Sequence, residues 1–184
     1  MEEKKWLIFA PQTPTSPSSL RVTIWRRLQH AGAVSVQQGM WMLPQAPEHE
    51  QVLRELLQDI QAHGGSGFLL VASALDTSHE VPILTRFQEE RTHDYTEFAG
   101  RCQDFFQEIE KETAAQQWSF AELEEIEEDF TKLTSWLRKI QHRDFFPGSK
   151  SEEAVALLAR CRQMLDVFTH VVYKSAGLEP KDES

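Results

Sequence analysis

The feature that most constrains this chain is a change of texture near residue 76. Before it, short apolar runs are cut by Pro11, Pro14 and Pro17, then by Gly32, Gly39 and Pro44, then by Gly64 and Gly65. After it, apolar residues recur every three or four positions with few breaks as far as Gly177. Frequent punctuation suits short strands and helices joined by tight turns, whereas a sustained helical period suits long amphipathic helices. The sequence therefore predicts two parts, residues 1–76 and residues 77–184.

In the first part, Trp6 to Ala10 reads as a buried strand, and the three prolines after it make a loop that cannot pair or coil. A helix starts near Ser18, where a hydroxyl can cap free N–H groups, and stops at Gly32. Its buried face is Leu20, Ile24, Leu28 and Ala31. Ala33 to Gln37 and Met40 to Pro44 read as strands joined by a turn at Gly39. A second helix from about Glu48 to His63 points Val52, Leu53, Leu56, Leu57 and Ile60 inward, and Gly67 to Ala74 reads as a last strand. The order β-α-β-β-α-β predicts a ferredoxin-like domain, with a four-stranded antiparallel sheet and both helices on one face.

In the second part, three long helices are expected, from about Pro82 to Ala115, from Ser119 to the break at Phe145-Phe146-Pro147-Gly148, and from Ser149 to Gly177. Ser119 with Glu122 and Ser149 with Glu152 have the spacing of capping boxes. Glu179 to Ser184 read as a frayed tail. The predicted fold class is thus α+β, a ferredoxin-like βαββαβ domain followed by an antiparallel helical extension.

Charge distribution sharpens this division. The net charge is −10, yet residues 1–75 carry six Lys/Arg and six Asp/Glu, so the whole excess lies in the thirteen against twenty-three of the remainder. Phosphate binding is a local effect, screened beyond ~10 Å at moderate salt, so an acidic second part does not veto a basic face on the first. No apolar run approaches the ~20 residues of a membrane helix, and the start Met1-Glu2-Glu3-Lys4-Lys5 lacks the pattern of a signal peptide, which points to the cytoplasm.

No catalytic signature is present: there is no glycine-rich phosphate loop, nucleophile elbow, zinc-protease histidine pair or Cys-x-x-Cys. The seven histidines include no i, i+4 pair, and Cys102 and Cys161 are isolated in sequence and read as packed core. The expectation is a protein that is not an enzyme, with no metal and no cofactor.

The candidate site is Arg21, Trp25, Arg26 and Arg27 on the first helix. Arg21 and Trp25 lie one turn apart, so the guanidinium can rest on the indole, and Arg26 and Arg27 extend a basic edge. Lys4, Lys5 and Arg54 are candidates to lie nearby. Two readings stand open at this point. The arginines can contact phosphate or another oxyanion through bidentate hydrogen bonds, or they can pair with the acidic helices of the second part.

The segment SSLRVTIWRRLQHAGAVSVQQGMWMLP (Ser18 to Pro44), preceded by the first-strand Trp6 and followed by the Gly-Gly stop, resembles the N-terminal domain of the ChrB chromate-resistance regulators. The similarity continues through Arg91 to Tyr95 (RTHDY), Glu122 to Phe146 (ELEEIEEDFTKLTSWLRKIQHRDFF) and the closing helix with Cys161 and Val172-Tyr173, covering about Trp6 to Tyr173. The resemblance implies a chromate-responsive transcription regulator that binds DNA. A homodimer is expected on a separate ground, since duplex readers commonly match two-fold sites. Chromate sensing in that family is attributed to a further C-terminal domain, so the expectation here is the DNA-binding portion. The predicted sheet also resembles that of small CRISPR spacer-acquisition nucleases, whose first strand ends in a metal-binding Asp. Here it ends Phe9-Ala10-Pro11, which argues against two-metal chemistry.

Overall fold

A computed structural model describes residues 4–15 and 18–178. Pro17 of the proline loop and the tail expected from Glu179 lie outside the described residues. The elements follow in the order β1 (Lys5–Gln12), α1 (Ser18–His30), β2 (Val34–Gln37), β3 (Met40–Pro44), α2 (Pro47–Ala62), β4 (Ser66–Ser73), α3 (Thr77–Ala115), α4 (Phe120–His142) and α5 (Ser149–Ser175). The fold is α+β, mostly helical, with one four-stranded antiparallel sheet and five helices. Two compact units divide it: residues 1–90 with 142–146, and residues 91–141 with 147–184. The division falls inside α3, whereas the change of sequence texture falls at its start.

In the first unit the strand order is β2-β3-β1-β4. Alternation along β1 sends its side chains to both faces of the sheet. Leu7 and Phe9 join Leu43 beneath Leu20, Ile24 and Leu28 of α1 and Leu53, Leu56 and Ile60 of α2. Both helices therefore cover one face. Trp6 points the other way, into a second core with Val34, Met42 and Phe87. Phe145 and Phe146, which sequence reads only as a helix break, pack into that core. Trp6 stacks on Phe87 with centroids 5.6 Å apart, and Phe146 sits 5.9 Å from Trp6. Gly32 is needed where α1 ends. Its φ is +79°, and an added Cβ would meet the Phe145 ring at 3.0 Å.

In the second unit the three stripes predicted from sequence interlock. Phe98, Cys102, Phe105 and Ile109 of α3 meet Leu123, Ile126, Leu133, Leu137 and Ile140 of α4, and Ala154, Cys161, Leu165, Phe168 and Val172 of α5. One helix start and one predicted cap differ from expectation. The helix α3 begins at Thr77, ahead of Pro82, because the Asp76 carboxylate accepts hydrogen bonds from the backbone N–H groups of Ser78 (2.8 Å) and His79 (3.2 Å). The α5 start has Gly148 at its N-cap in extended conformation with no side-chain cap, so the Ser149–Glu152 box does not form. The other box is half made, with the Glu122 N–H donating to Ser119 Oγ at 3.2 Å.

Candidate nucleic-acid interface

The α1 sequence SSLRVTIWRRLQH contains three arginines and no carboxylate. Burial of Leu20, Ile24 and Leu28 at four-residue spacing fixes which way the helix faces. Arg21, Val22, Trp25 and Arg26 then fall on the outer side, all exposed, with the Trp25 indole 53% accessible. A large indole beside two guanidinium groups gives a stacking platform and a bidentate donor within one helical turn.

The four predicted residues do not act alike. Arg27 turns towards α2, where Nη1 donates to Asp59 Oδ2 and Nη2 to Glu55 Oε2, each at 2.8 Å. Its partners come from within the first unit, not from the acidic helices after residue 76. The Arg21 guanidinium donates to the Thr15 carbonyl at 3.2 Å. It does not rest on the Trp25 indole: the cation–π contacts among the described residues are Arg160 over Phe106 and Arg162 over Phe130. Arg26 is exposed and has no ion pair among the described residues. Lys4 pairs with Glu80 at 3.7 Å and Arg54 with Glu50 at 3.6 Å. The outer face of α1 thus brings together Arg21, Trp25 and Arg26, and separates them from Arg27.

Elsewhere titratable groups make local pairs. Arg91, buried, pairs with Asp94 at 3.4 Å, and Asp144 accepts the Phe146 N–H at 3.3 Å. Cys102 and Cys161 are fully buried in the helical core. The hydrogen bond shared with Cys102, together with burial, pushes the Cys161 thiol up, so it stays protonated. Among the described residues no group of three or more His, Cys, Asp or Glu side chains could hold a metal, and no helix is long and apolar enough to cross a membrane.

Sequence reading also missed the exposure of β4. Its apolar residues look like a buried strand, yet Phe68 and Leu70 are open. Only the strand order, which leaves β4 at an edge, reveals this.

Comparison with known proteins agrees with the sequence likeness. The family described as "Protein ChrB, N-terminal" matches residues 21–179. The Protein ChrB of Cupriavidus metallidurans (strain CH34) is 26% identical over 152 residues, which are 83% of this chain and 44% of that protein. The chain therefore spans less than half the length of that relative. A solved structure, the uncharacterized protein Rv0674 from Mycobacterium tuberculosis, is similar over 95% of this chain and 64% of that one, at 12% identity and a TM-score of 0.43.

Proposed function

We propose a function from one premise: the chain belongs to the ChrB N-terminal family. It is a regulatory protein of chromate resistance, not an enzyme, that works in the cytoplasm and holds the phosphates of duplex DNA against the outer face of α1. Arg21 and Arg26 are the phosphate contacts and Trp25 packs against the sugar-phosphate edge. Two copies act together on two-fold sites, since duplex readers commonly match the symmetry of their sites. The first unit serves as a ferredoxin-like module, a reading supported by the β-α-β-β-α-β order and the β2-β3-β1-β4 sheet. Residues 77–184 serve as its antiparallel helical extension.

The observation that carries this reading is the carboxylate-free outer face of α1, with exposed Trp25 between two guanidinium groups, on a chain of net charge −10. Its test is fluorescence anisotropy against duplex DNA from upstream of the protein's own coding sequence, over a salt series, with and without chromate. Affinity should fall log-linearly with salt, with a slope of about −0.9 per phosphate contacted. Arg26→Ala and Arg21→Ala should each weaken binding and flatten that slope, while Arg27→Ala should do less. Binding that is absent at low salt, or unchanged in the Arg21→Ala/Arg26→Ala protein, sinks the assignment. Release by chromate would place an effector response in this chain.

A second reading has its own support. Arg27 is already held by Glu55 and Asp59, which supports a protein-interaction module whose basic helix serves internal pairing, with partners on α2 and not on the acidic helices after residue 76. That reading predicts no DNA binding at physiological salt.

A further inference from the structure

The two edges of the sheet are built differently. The β2 edge is four residues long, its pairing with β3 shifts register between Ser35 and Gln37, and the Arg86 side chain donates to the Ser35 carbonyl at 3.2 Å. Shortness, a bulge and a charged side chain over the backbone are the devices by which proteins blunt an edge. The β4 edge has none of them. It runs eight residues, pairs with β1 from Lys5↔Ser73 to Gln12↔Ser66 without a shift, and contains no charge and no proline. Among the described residues no strand lies on its outer side. Phe68 is 71% exposed, Leu70 55% and Val71 53%.

We infer that β4 pairs antiparallel with β4 of a second copy, joining the two sheets into one of eight strands. Three observations select a second copy as the occupant. First, residues 66–75 are uncharged on a chain of net charge −10, so here two copies can meet without placing like charges together. Second, the α2 wall of the groove beside β4 is neutral too, with Glu50 paired to Arg54 and Gln58 and Gln61 alongside. Third, the strand is its own complement. A two-fold axis normal to the sheet keeps each face on its own side, so residues of like parity must pair. Phe68 and Leu70, which lie opposite Ala10 and Ile8, then meet Phe68 and Leu70 of the other copy on one face. In that register Leu69 meets Leu69 of the other copy on the other face, and Val71 lies opposite Gly67. Small residues at both ends, Ser66-Gly67 and Ala72-Ser73, leave that central cluster unobstructed.

This deepens the two-copy assembly proposed above by naming its interface, and it is tested without DNA so that either can fail alone. Sedimentation equilibrium of the full chain over a wide concentration range should show a monomer–dimer equilibrium. Leu70→Lys places two ammonium groups near the axis and should weaken association about tenfold or more. Its side chain is mostly in solvent, so circular dichroism and the melting temperature of the dilute protein should hold. Val71→Lys, on the opposite face, should weaken association as well and serves if Leu70→Lys does not fold. A wild type that stays monomeric throughout overturns the inference. So do lysine variants that fold and associate as the wild type does.

Discussion

The two compact units bury apolar surface in opposite ways. The helical unit has one core, made of three periodic stripes that each belong to a single helix. The sheet unit has two thin cores, one on either side of the strands, and each is assembled from residues far apart in the chain. Trp6 and Phe146 touch across almost the whole sequence that separates them. A helical stripe needs only local spacing to form its face, whereas the back of a sheet must be closed by whatever segment returns to it. The same contrast explains the site. The basic face of α1 follows from helical spacing, but the diversion of Arg27 depends on where α2 is brought by the sheet.

This contrast can be broken most strongly at the core. Phe98 is fully buried and packs edge-on against Trp136 with centroids 5.7 Å apart. Phe98→Ala should cost about 3–5 kcal/mol in denaturant unfolding, as should Phe9→Ala in the sheet unit. If the two units unfold separately, each variant shifts its own transition; a single shared transition would erase the distinction. Phe146→Ala comes next. Phe146 is half-buried against Trp6 and Phe87, and its loss should cost about 2–3 kcal/mol. A neutral result would show that the second core closes without residues 142–146.

Smaller effects sharpen it. Ser119→Ala should cost about 1 kcal/mol, because Ser119 Oγ caps α4, while Ser149→Ala should be close to neutral, because α5 has no side-chain cap. Equal losses would contradict the observed caps. Arg27→Ala should cost less than about 1 kcal/mol, since both of its ion pairs are partly exposed. The thiols should not react with an aromatic disulfide reagent until the chain unfolds, as both are buried.

The smallest effect is at Asp76. Hydrogen bonds from the Ser78 and His79 side chains, then from the His79 N–H, hold its carboxyl below the usual value. A lowered carboxyl pKa contributes stability above the unfolded-state value, and loses it as pH falls through the folded-state value. Asp76→Ala should therefore narrow the difference in melting temperature between neutral and acid pH. An unchanged acid dependence would mean that this cap contributes nothing to it.

Much of the fold was legible because it is written in local spacing. The α1 stripe Leu20, Ile24, Leu28 and the three later stripes appear in the sequence as they appear in the cores. The α3 start was misplaced because Pro82 is a conspicuous helix-start residue, while the Asp76 cap that actually begins the helix is a single carboxylate among many. At the site, the exposure of Arg21, Trp25 and Arg26 follows from the buried stripe opposite them. The fate of Arg27 does not, because Glu55 and Asp59 lie 28 and 32 residues away.

By itself the sequence determined the order of strands and helices, which side of each helix would be apolar, and that three of the six basic residues of the first part would lie together on α1. Those properties depend on neighbours within a few positions. The tertiary structure alone decided that Arg27 would be tied down, that Phe145 and Phe146 would close the back of the sheet, and that β4 would be left as an uncharged open edge. Each of these is settled by long-range pairing, where the strand order chooses the neighbours.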